Sequence, residues 1–326
     1  MTLVDVFRAR KRIAPHVRPT PLLRSPWLSD LAGASVSLKL ESLQRSSSFK
    51  ARGAFNAVMA RLERPGGAPP QLVTASAGNH GRALAAAAET FRLPLIVFTP
   101  ADAPKTKLEA IRRHGAELRA DGRDYDDAER RAKAFATDAG AAFISPYNDA
   151  DVIAGAATVA LEIFEEAPGT DALVVPIGGG GLISGVATVA KAIEARTEVI
   201  GVEADVSCAF QTSVRAGRLV EIVPGATLAD GLGGNPDPET ITFAFIQRLV
   251  DRIVTVSEDD LSAAIAGLVA TEHLVAEGAG AAGAAALVGK RADVRGRHVA
   301  VIVSGGNIDR ARLASLLSND ASQSAE

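Results

Sequence analysis

The stretch "DALVVPIGGGGLISGVATVAKAIEARTEVIGVE", residues 171–203, decides the fold. Residues 171–177 are an apolar run of strand length, "GVATVAKAIEA" reads as a helix, and "EVIGVE" reads as the next strand. Continuous apolar strands alternating with helices mean a parallel sheet covered on both faces. Four glycines, Gly178, Gly179, Gly180 and Gly181, fill the turn between strand and helix. Backbone N–H groups without side chains can approach a phosphate closely, and a helix N-terminus favours its charge. The same residues leave a second reading open. Gly179, Gly181 and Gly185 come close to a dinucleotide fingerprint, and Glu203 stands where a ribose-binding acid would stand.

The alternation extends in both directions. "SVSLKLE" (35–41) is a period-two strand, "GAFNAVMARLE" (53–63) a helix, "LVTAS" (72–76) a buried strand and "GRALAAAAETF" (81–91) a helix. "LPLIVFT", "AAFISP" and "VAVIVSGG" add strands. "KTKLEAIRRHG" (105–115) is a helix ending on a left-handed Gly115. Ser257 and Asp260 have capping-box spacing at the head of another helix. The stretch between 207 and 245 breaks the pattern with "PGATLADGLGGNPDP", an irregular segment of the kind that often carries function. The polar tail "SNDASQSAE" is expected to fray.

Composition narrows the classes. Lys and Arg (35) are interspersed with Asp and Glu (38), and aromatics make up 4%, so no nucleic-acid surface is expected. The N-terminus lacks a signal-peptide core, and no uncharged apolar run is long enough to span a bilayer. The single cysteine, Cys208, excludes an internal disulfide and fits a reducing cytoplasm.

Three strand ends carry small polar turns: "TASAGNHG", "PIGGGGLISG" and "VSGGN". In open α/β folds ligands bind outside the carboxyl ends of strands. Ser76 and Asn79 read either as helix caps or as part of a carboxylate-binding nest. His80 is the histidine inside such a turn, and Ser304 offers a neutral hydroxyl. Lys50, in "SSSFKARGAFN" (46–56), sits at a helix start, where its charge opposes the macrodipole. An exposed lysine is the plain reading; a lysine in apolar surroundings with a lowered pKa becomes a nucleophile.

In this order, "SFKARGAFN", "SAGNHG", "GGGGL", "TLADG", "EGAGAAGAAAL" and "SGGN" resemble the fold-type II pyridoxal-phosphate enzymes. The nearest group is the serine/threonine dehydratases (threonine ammonia-lyases), with serine racemases as relatives. The match covers about residues 15 to 310. It implies a two-domain, tryptophan synthase β-like α/β fold, each domain a mainly parallel twisted sheet flanked by helices. A large domain, 1–52 and 149–326, and a small domain, 53–148, would hold pyridoxal 5'-phosphate between them. It further implies that Lys50 forms the Schiff base and removes the Cα proton, and that Phe49 packs beside the cofactor. Asn79 would bond the ring hydroxyl, Ser304 the ring nitrogen, and Gly178 to Gly181 the phosphate, with Leu182 and Glu277 completing the cofactor contacts. Ser76, Ala77, Asn79, His80 and Tyr147 would meet the substrate.

The implied reaction is β-elimination from a β-hydroxy amino acid such as L-threonine or L-serine, giving a 2-oxo acid and ammonia, in a cytoplasmic homodimer. Other hydroxy amino acids, 3-hydroxyaspartate and phenylserine among them, stay open as substrates. Two departures matter. Racemase relatives carry a serine where Ala77 stands, and alanine cannot relay a proton to the second face. Those that bind a divalent cation have an acid at the place of Ala209, so no metal site is expected around Glu203.

Overall fold

The computed structural model describes residues 1–67 and 69–323. Its strands are β1 (Leu22–Arg24), β2 (Ser35–Leu40), β3 (Leu72–Ala75), β4 (Leu95–Pro100), β5 (Glu117–Gly122), β6 (Ala142–Phe143), β7 (Ala172–Pro176), β8 (Glu198–Ala204), β9 (Arg252–Val256) and β10 (His298–Val303). Among the described residues they form a six-stranded sheet, β1-β2-β10-β7-β8-β9, and a four-stranded sheet, β5-β4-β3-β6. Every pairing is parallel except β1 with β2. This is the α/β architecture that the strand–helix alternation predicts.

Burial explains the alternation. The five residues of β7 are all buried, because helices cover both faces. One apolar layer joins the large sheet to helix Gly278–Val288 and helix Glu258–Ala270; the other joins it to helix Ala150–Glu166 and helix Gly181–Ile193. The smaller sheet packs on helices Lys50–Leu62 and Asn79–Phe91 on one side and Tyr125–Asp138 on the other.

Three strands, β1, β5 and β9, escape the sequence reading. Each lies at a sheet edge, and β5 shows mostly exposed or half-buried residues. An edge strand has no second neighbour and little apolar surface to advertise. Helix Lys50–Leu62 starts before the expected 53, and the helix at 105 ends at Arg112, although Gly115 does adopt a left-handed φ of 77°. The irregular stretch after 207 contains helix Ala209–Ala216. Residues 310–323 form a helix, where a frayed tail was expected; the last three residues lie outside the described ones. The capping box at Ser257 and Asp260 is present.

The least expected core feature is ionic. Arg52, two residues after Lys50, is 1% exposed. It bonds both oxygens of Glu41 at 2.8 and 2.7 Å and both oxygens of Glu162 at 2.6 and 2.8 Å. Lys39 adds a 2.8 Å pair to Glu162. Burial opposes the guanidinium charge, but Glu41 and Glu162 outweigh it and hold the pKa of Arg52 above its ordinary value. Helix Lys50–Leu62 is thereby tied to the end of β2 and to helix Ala150–Glu166. Removing the guanidinium leaves buried Glu41 without its cation and Glu162 with Lys39 alone. Arg52→Met is therefore expected to cost about 3–5 kcal/mol, read as a lower midpoint in urea unfolding.

Candidate active site

The site forms where segments from the two sheets meet. Lys50 is the first residue of its helix, and its Nζ donates to the carbonyl of Pro146 at 2.8 Å. Its backbone is fixed from below. Phe49 N–H donates to Ser304 O at 3.0 Å, and Ser48 bridges to Gly305. The Phe49 ring lies 5.1 Å from Lys50 Nζ and packs on the apolar layer beneath. Loss of water around the ammonium pulls the pKa of Lys50 down to about 8, with Glu277 acting in the opposite direction.

The glycine turn closes one end of the cleft. Gly180 takes a φ of 84°, open to glycine at little cost, and helix 181–193 begins at the next residue. A Cβ on Gly179 would lie 2.2 Å from the ring of Tyr147, so only glycine admits that ring. Thr242 Oγ1 donates to Gly179 O at 2.9 Å and holds the turn from outside. The first N–H groups of the helix have no intrahelical acceptor. Leu182 turns its side chain into the apolar layer, which leaves its backbone facing the turn.

The other end is a polar chain. Asn79 Nδ2 donates to Glu277 Oε1 at 2.5 Å, and Asn307 Nδ2 donates to Asn79 Oδ1 at 2.7 Å. Arg82 Nη1 donates to Asn307 Oδ1 at 2.5 Å. Burial pushes the carboxyl of Glu277 up to about 7, against the hydrogen bond from Asn79. Ser304 is buried at the end of β10, its Oγ 3.3 Å from Ala279 O. Neither Ser76 nor Asn79 caps its helix: Gly78 is the cap, and Asn79 is already helical. Ser76 Oγ instead accepts the N–H of Gly78 at 3.2 Å across the turn that holds Ala77. His80 is buried with Nε2 3.2 Å from Ile144 O, and burial holds its pKa down to about 3. Its ring is neutral and is held against the backbone carbonyl that follows β6.

The structure thus brings together Phe49, Lys50, Ser76, Asn79, Tyr147, Gly178 to Gly181, Glu277 and Ser304. Sequence reading did not find Pro146, Asn307, Arg82 or Thr242. Asn307 stood inside the quoted "SGGN"; the other three act through a carbonyl or through tertiary contacts that no local pattern announces.

The dinucleotide reading does not survive the geometry. Glu203 spends both oxygens on the N–H groups of Phe210 and Gln211, at 2.9 and 2.7 Å, as the acceptor for a helix start. Burial raises its pKa to about 7. Gly185 serves helix packing, since a Cβ there would meet Ile153 O at 2.8 Å. No cluster of three metal-ligating side chains occurs among the described residues, and no described helix is long and apolar enough to cross a membrane.

Residues 13–305 match the family model for pyridoxal-phosphate dependent enzymes. The chain is 40% identical over 311 residues to an L-threonine ammonia-lyase of Thermotoga maritima, covering 95% of this chain and 76% of the relative. It is 38% identical to an L-threo-3-hydroxyaspartate ammonia-lyase of Saccharomyces cerevisiae, covering 97% and 96%. The solved structure of maize serine racemase superposes with a TM-score of 0.90 at 30% identity, covering 100% of this chain and 99% of that one.

Lys50 offers a direct test of the site's electrostatics in the cofactor-free chain. An amine-directed reagent titrated against pH is expected to modify Lys50 with a midpoint near about 8, well below surface lysines. Because Glu277 raises that pKa, Glu277→Gln is expected to move the midpoint further down.

Proposed function

The chain belongs to the pyridoxal-phosphate-dependent enzymes, and we propose that it is an ammonia-lyase that removes water from a β-hydroxy amino acid, L-threonine or L-serine first. The observation that carries this reading is the placement of Lys50 Nζ between a glycine-lined helix start and a buried neutral hydroxyl. The donor set fits the cofactor: a side-chain-free glycine turn at a helix N-terminus, an amine with a lowered pKa, and the hydroxyl of Ser304. The cofactor supplies, when bound, an electrophilic carbon for amines and a sink for the electrons of Cα.

The residues divide the work as follows. The N–H groups of Gly178 to Gly181 and Leu182 hold the phosphate. Asn79, fixed by Asn307, and Glu277 meet the ring's hydroxyl side, Phe49 supports the ring, and Ser304 Oγ meets the ring nitrogen. The Ser76–His80 turn, with Asn79 and the backbone at Ala77, receives the substrate carboxylate through N–H donors and the Ser76 hydroxyl, and Tyr147 flanks the substrate. Lys50 Nζ would hold the cofactor and, when free, would take the Cα proton as a general base. A pKa near about 8 leaves a useful neutral fraction at physiological pH. Ser304 is neutral and cannot neutralise a full positive charge as a carboxylate would. That weakens the electron sink and favours prompt loss of the β-hydroxyl over long storage of charge. The Cα–H bond would break to Lys50, and the Cβ–O bond would break with a proton to release water. The freed enamine would tautomerise to an imine, add water at Cα and lose ammonia to leave the 2-oxo acid.

Racemisation needs a second proton carrier on the opposite face. Ala77 has none to offer, and this supports elimination over the racemase reading despite the likeness to maize serine racemase. The lone Cys208 and the exposed apolar side chains of Val4, Phe7, Leu23, Leu43 and Val275 support a cytoplasmic homodimer. The lobes 1–52 with 149–326 and 53–148 would act as large and small domains.

The purified holoenzyme is expected to absorb visible light, to change that absorbance on adding L-threonine, and to release 2-oxo acid and ammonia. Lys50→Ala is expected to lose the covalent absorbance and the product together. A protein that stays colourless with pyridoxal phosphate would sink the proposal. Chiral chromatography of L-serine incubated with the enzyme should show no D-serine; rapid interconversion would overturn the one-face argument.

A further inference from the structure

The glycine turn carries backbone donors with nothing to donate to. Among the described residues the N–H groups of Gly178 to Gly181 make no hydrogen bond, although Gly180 and Gly181 are buried. Buried backbone donors are nearly always paired, so an unpaired set asks for an acceptor from outside the chain. The cofactor's phosphate would be that acceptor. The direction of the donors then needs a cause, because a glycine–glycine peptide has no preference of its own.

In a trans peptide the C=O and the N–H point in opposite directions, and no cis bond occurs among the described residues. The peptide joining Gly179 to Gly180 can therefore present either group to a given side. Turning it over would carry the φ of Gly180 from 84° to the ordinary negative side, and neither glycine has a side chain to resist. One orientation offers a phosphate a donor. The other offers it a carbonyl oxygen, which repels it.

The next peptide is settled by the helix, since Gly180 O accepts the N–H of Ser184 at 3.0 Å. The 179–180 peptide is settled by one side chain. Gly179 O accepts from Thr242 Oγ1 at 2.9 Å and, among the described residues, from nothing else. Thr242 is fully buried at the first position of helix Thr242–Leu249. Its single hydroxyl proton goes to Gly179 O, so the hydroxyl of Thr240, 2.8 Å away, donates to Thr242 Oγ1. Thr240 is buried too, so little water competes for either hydroxyl. The packing is direct: a Cβ on Gly180 would lie 2.8 Å from Thr242 Oγ1. Ser184 Oγ, 3.5 Å from Thr242 O, joins the two helices at the same level.

We propose that Thr242 is a positioning residue for the cofactor's phosphate. By holding Gly179 O on its own side it turns the N–H of Gly180 toward the anion, and Thr240 keeps the Thr242 hydroxyl so directed. Thr242 acts through the backbone and is not itself a ligand of the phosphate. The proposal rests on the cofactor reading and adds the residue that prepares the anion site before a ligand arrives.

The test titrates the cofactor-free full chain with pyridoxal phosphate and, separately, with pyridoxal, which keeps the ring and aldehyde but has no phosphate. Dissociation constants are read from the absorbance that appears as Lys50 reacts. Thr242→Val keeps the shape and removes the hydroxyl. It is expected to weaken pyridoxal phosphate about tenfold, the worth of one oriented hydrogen bond to an anion, and to leave pyridoxal unchanged. Thr242→Ser restores the hydroxyl and is expected to bind pyridoxal phosphate as the wild type does. General damage to the fold would weaken both ligands together, and that result would overturn the proposal. So would wild-type affinity for pyridoxal phosphate in Thr242→Val. Should Thr242→Val not fold, Thr242→Ala, which puts no methyl against Gly179 O, is read in the same way. Either failure leaves the cofactor reading intact. A wild-type chain that reacts with neither aldehyde would overturn that reading and this proposal with it.

Discussion

The site depends on a guanidinium with no water around it. Arg52 is clamped between Glu41 and Glu162 by hydrogen bonds of 2.6 to 2.8 Å. Buried ion pairs of this kind seldom add net stability over apolar packing, because desolvation consumes the Coulombic gain. What they add is geometry. Glu41 follows β2 in the large sheet, and Glu162 lies on the helix that crosses beneath the glycine turn. Arg52 belongs to the first turn of the helix that Lys50 opens. With Arg52 held from two sides, that turn has little freedom to rotate, and the direction of Lys50 is set before any ligand arrives. Phe49 and Ser48, bonded to Ser304 and Gly305, complete the hold from the strand below.

That arrangement accounts for the electrostatics of Lys50. A lysine at a helix start meets an unfavourable dipole. Burial adds to this, and the acid that supports the charge, Glu277, is itself pushed toward its neutral form by burial. The result is an amine whose charge is weakly supported. Such an amine suits a proton abstractor, and a freely hydrated lysine elsewhere on the same helix would not have served.

The sequence carried the large features because they are repeated and apolar. The buried strands β2, β3, β4, β7, β8 and β10 are apolar runs or alternations, and the glycine-containing turns after β3, β7 and β10 mark the cleft. The edge strands β1, β5 and β9 were not read, since a strand with one neighbour and little buried apolar surface resembles a loop, whereas the edge strand β6 showed in "AAFISP". The site divided in the same way. Residues placed by a local turn, such as Gly178 to Gly181, Asn79 and Ser304, stood out in short motifs. Residues placed by long-range pairing did not: Arg52 with Glu41 and Glu162, Thr242 with Gly179, and Asn307 with Arg82 each join elements far apart in the chain. Nothing within a window around Arg52 distinguishes it from a surface arginine.

Glu203 and Ser304 show why placement decides chemistry where residue type cannot. Glu203 is the last residue but one of β8 and Ser304 directly follows β10, so both lie at carboxyl ends of strands in one sheet, where ligands bind in such folds. Glu203 is the stronger candidate by type, a carboxylate suited to ribose or a cation. Its two oxygens are nevertheless committed to the N–H groups of Phe210 and Gln211, and they fix the start of helix Ala209–Ala216. Ser304 is the weaker candidate by type, yet its hydroxyl has only a long contact to Ala279 O and sits directly below the Lys50 turn. A ligand can replace that long contact at small cost, whereas taking either oxygen from Glu203 would strip a backbone N–H of its acceptor at a buried helix start. The glycine turn between them is neutral in the matter. The cleft is therefore biased toward a cofactor that asks for an amine and a neutral hydroxyl, because those are the groups the fold leaves free.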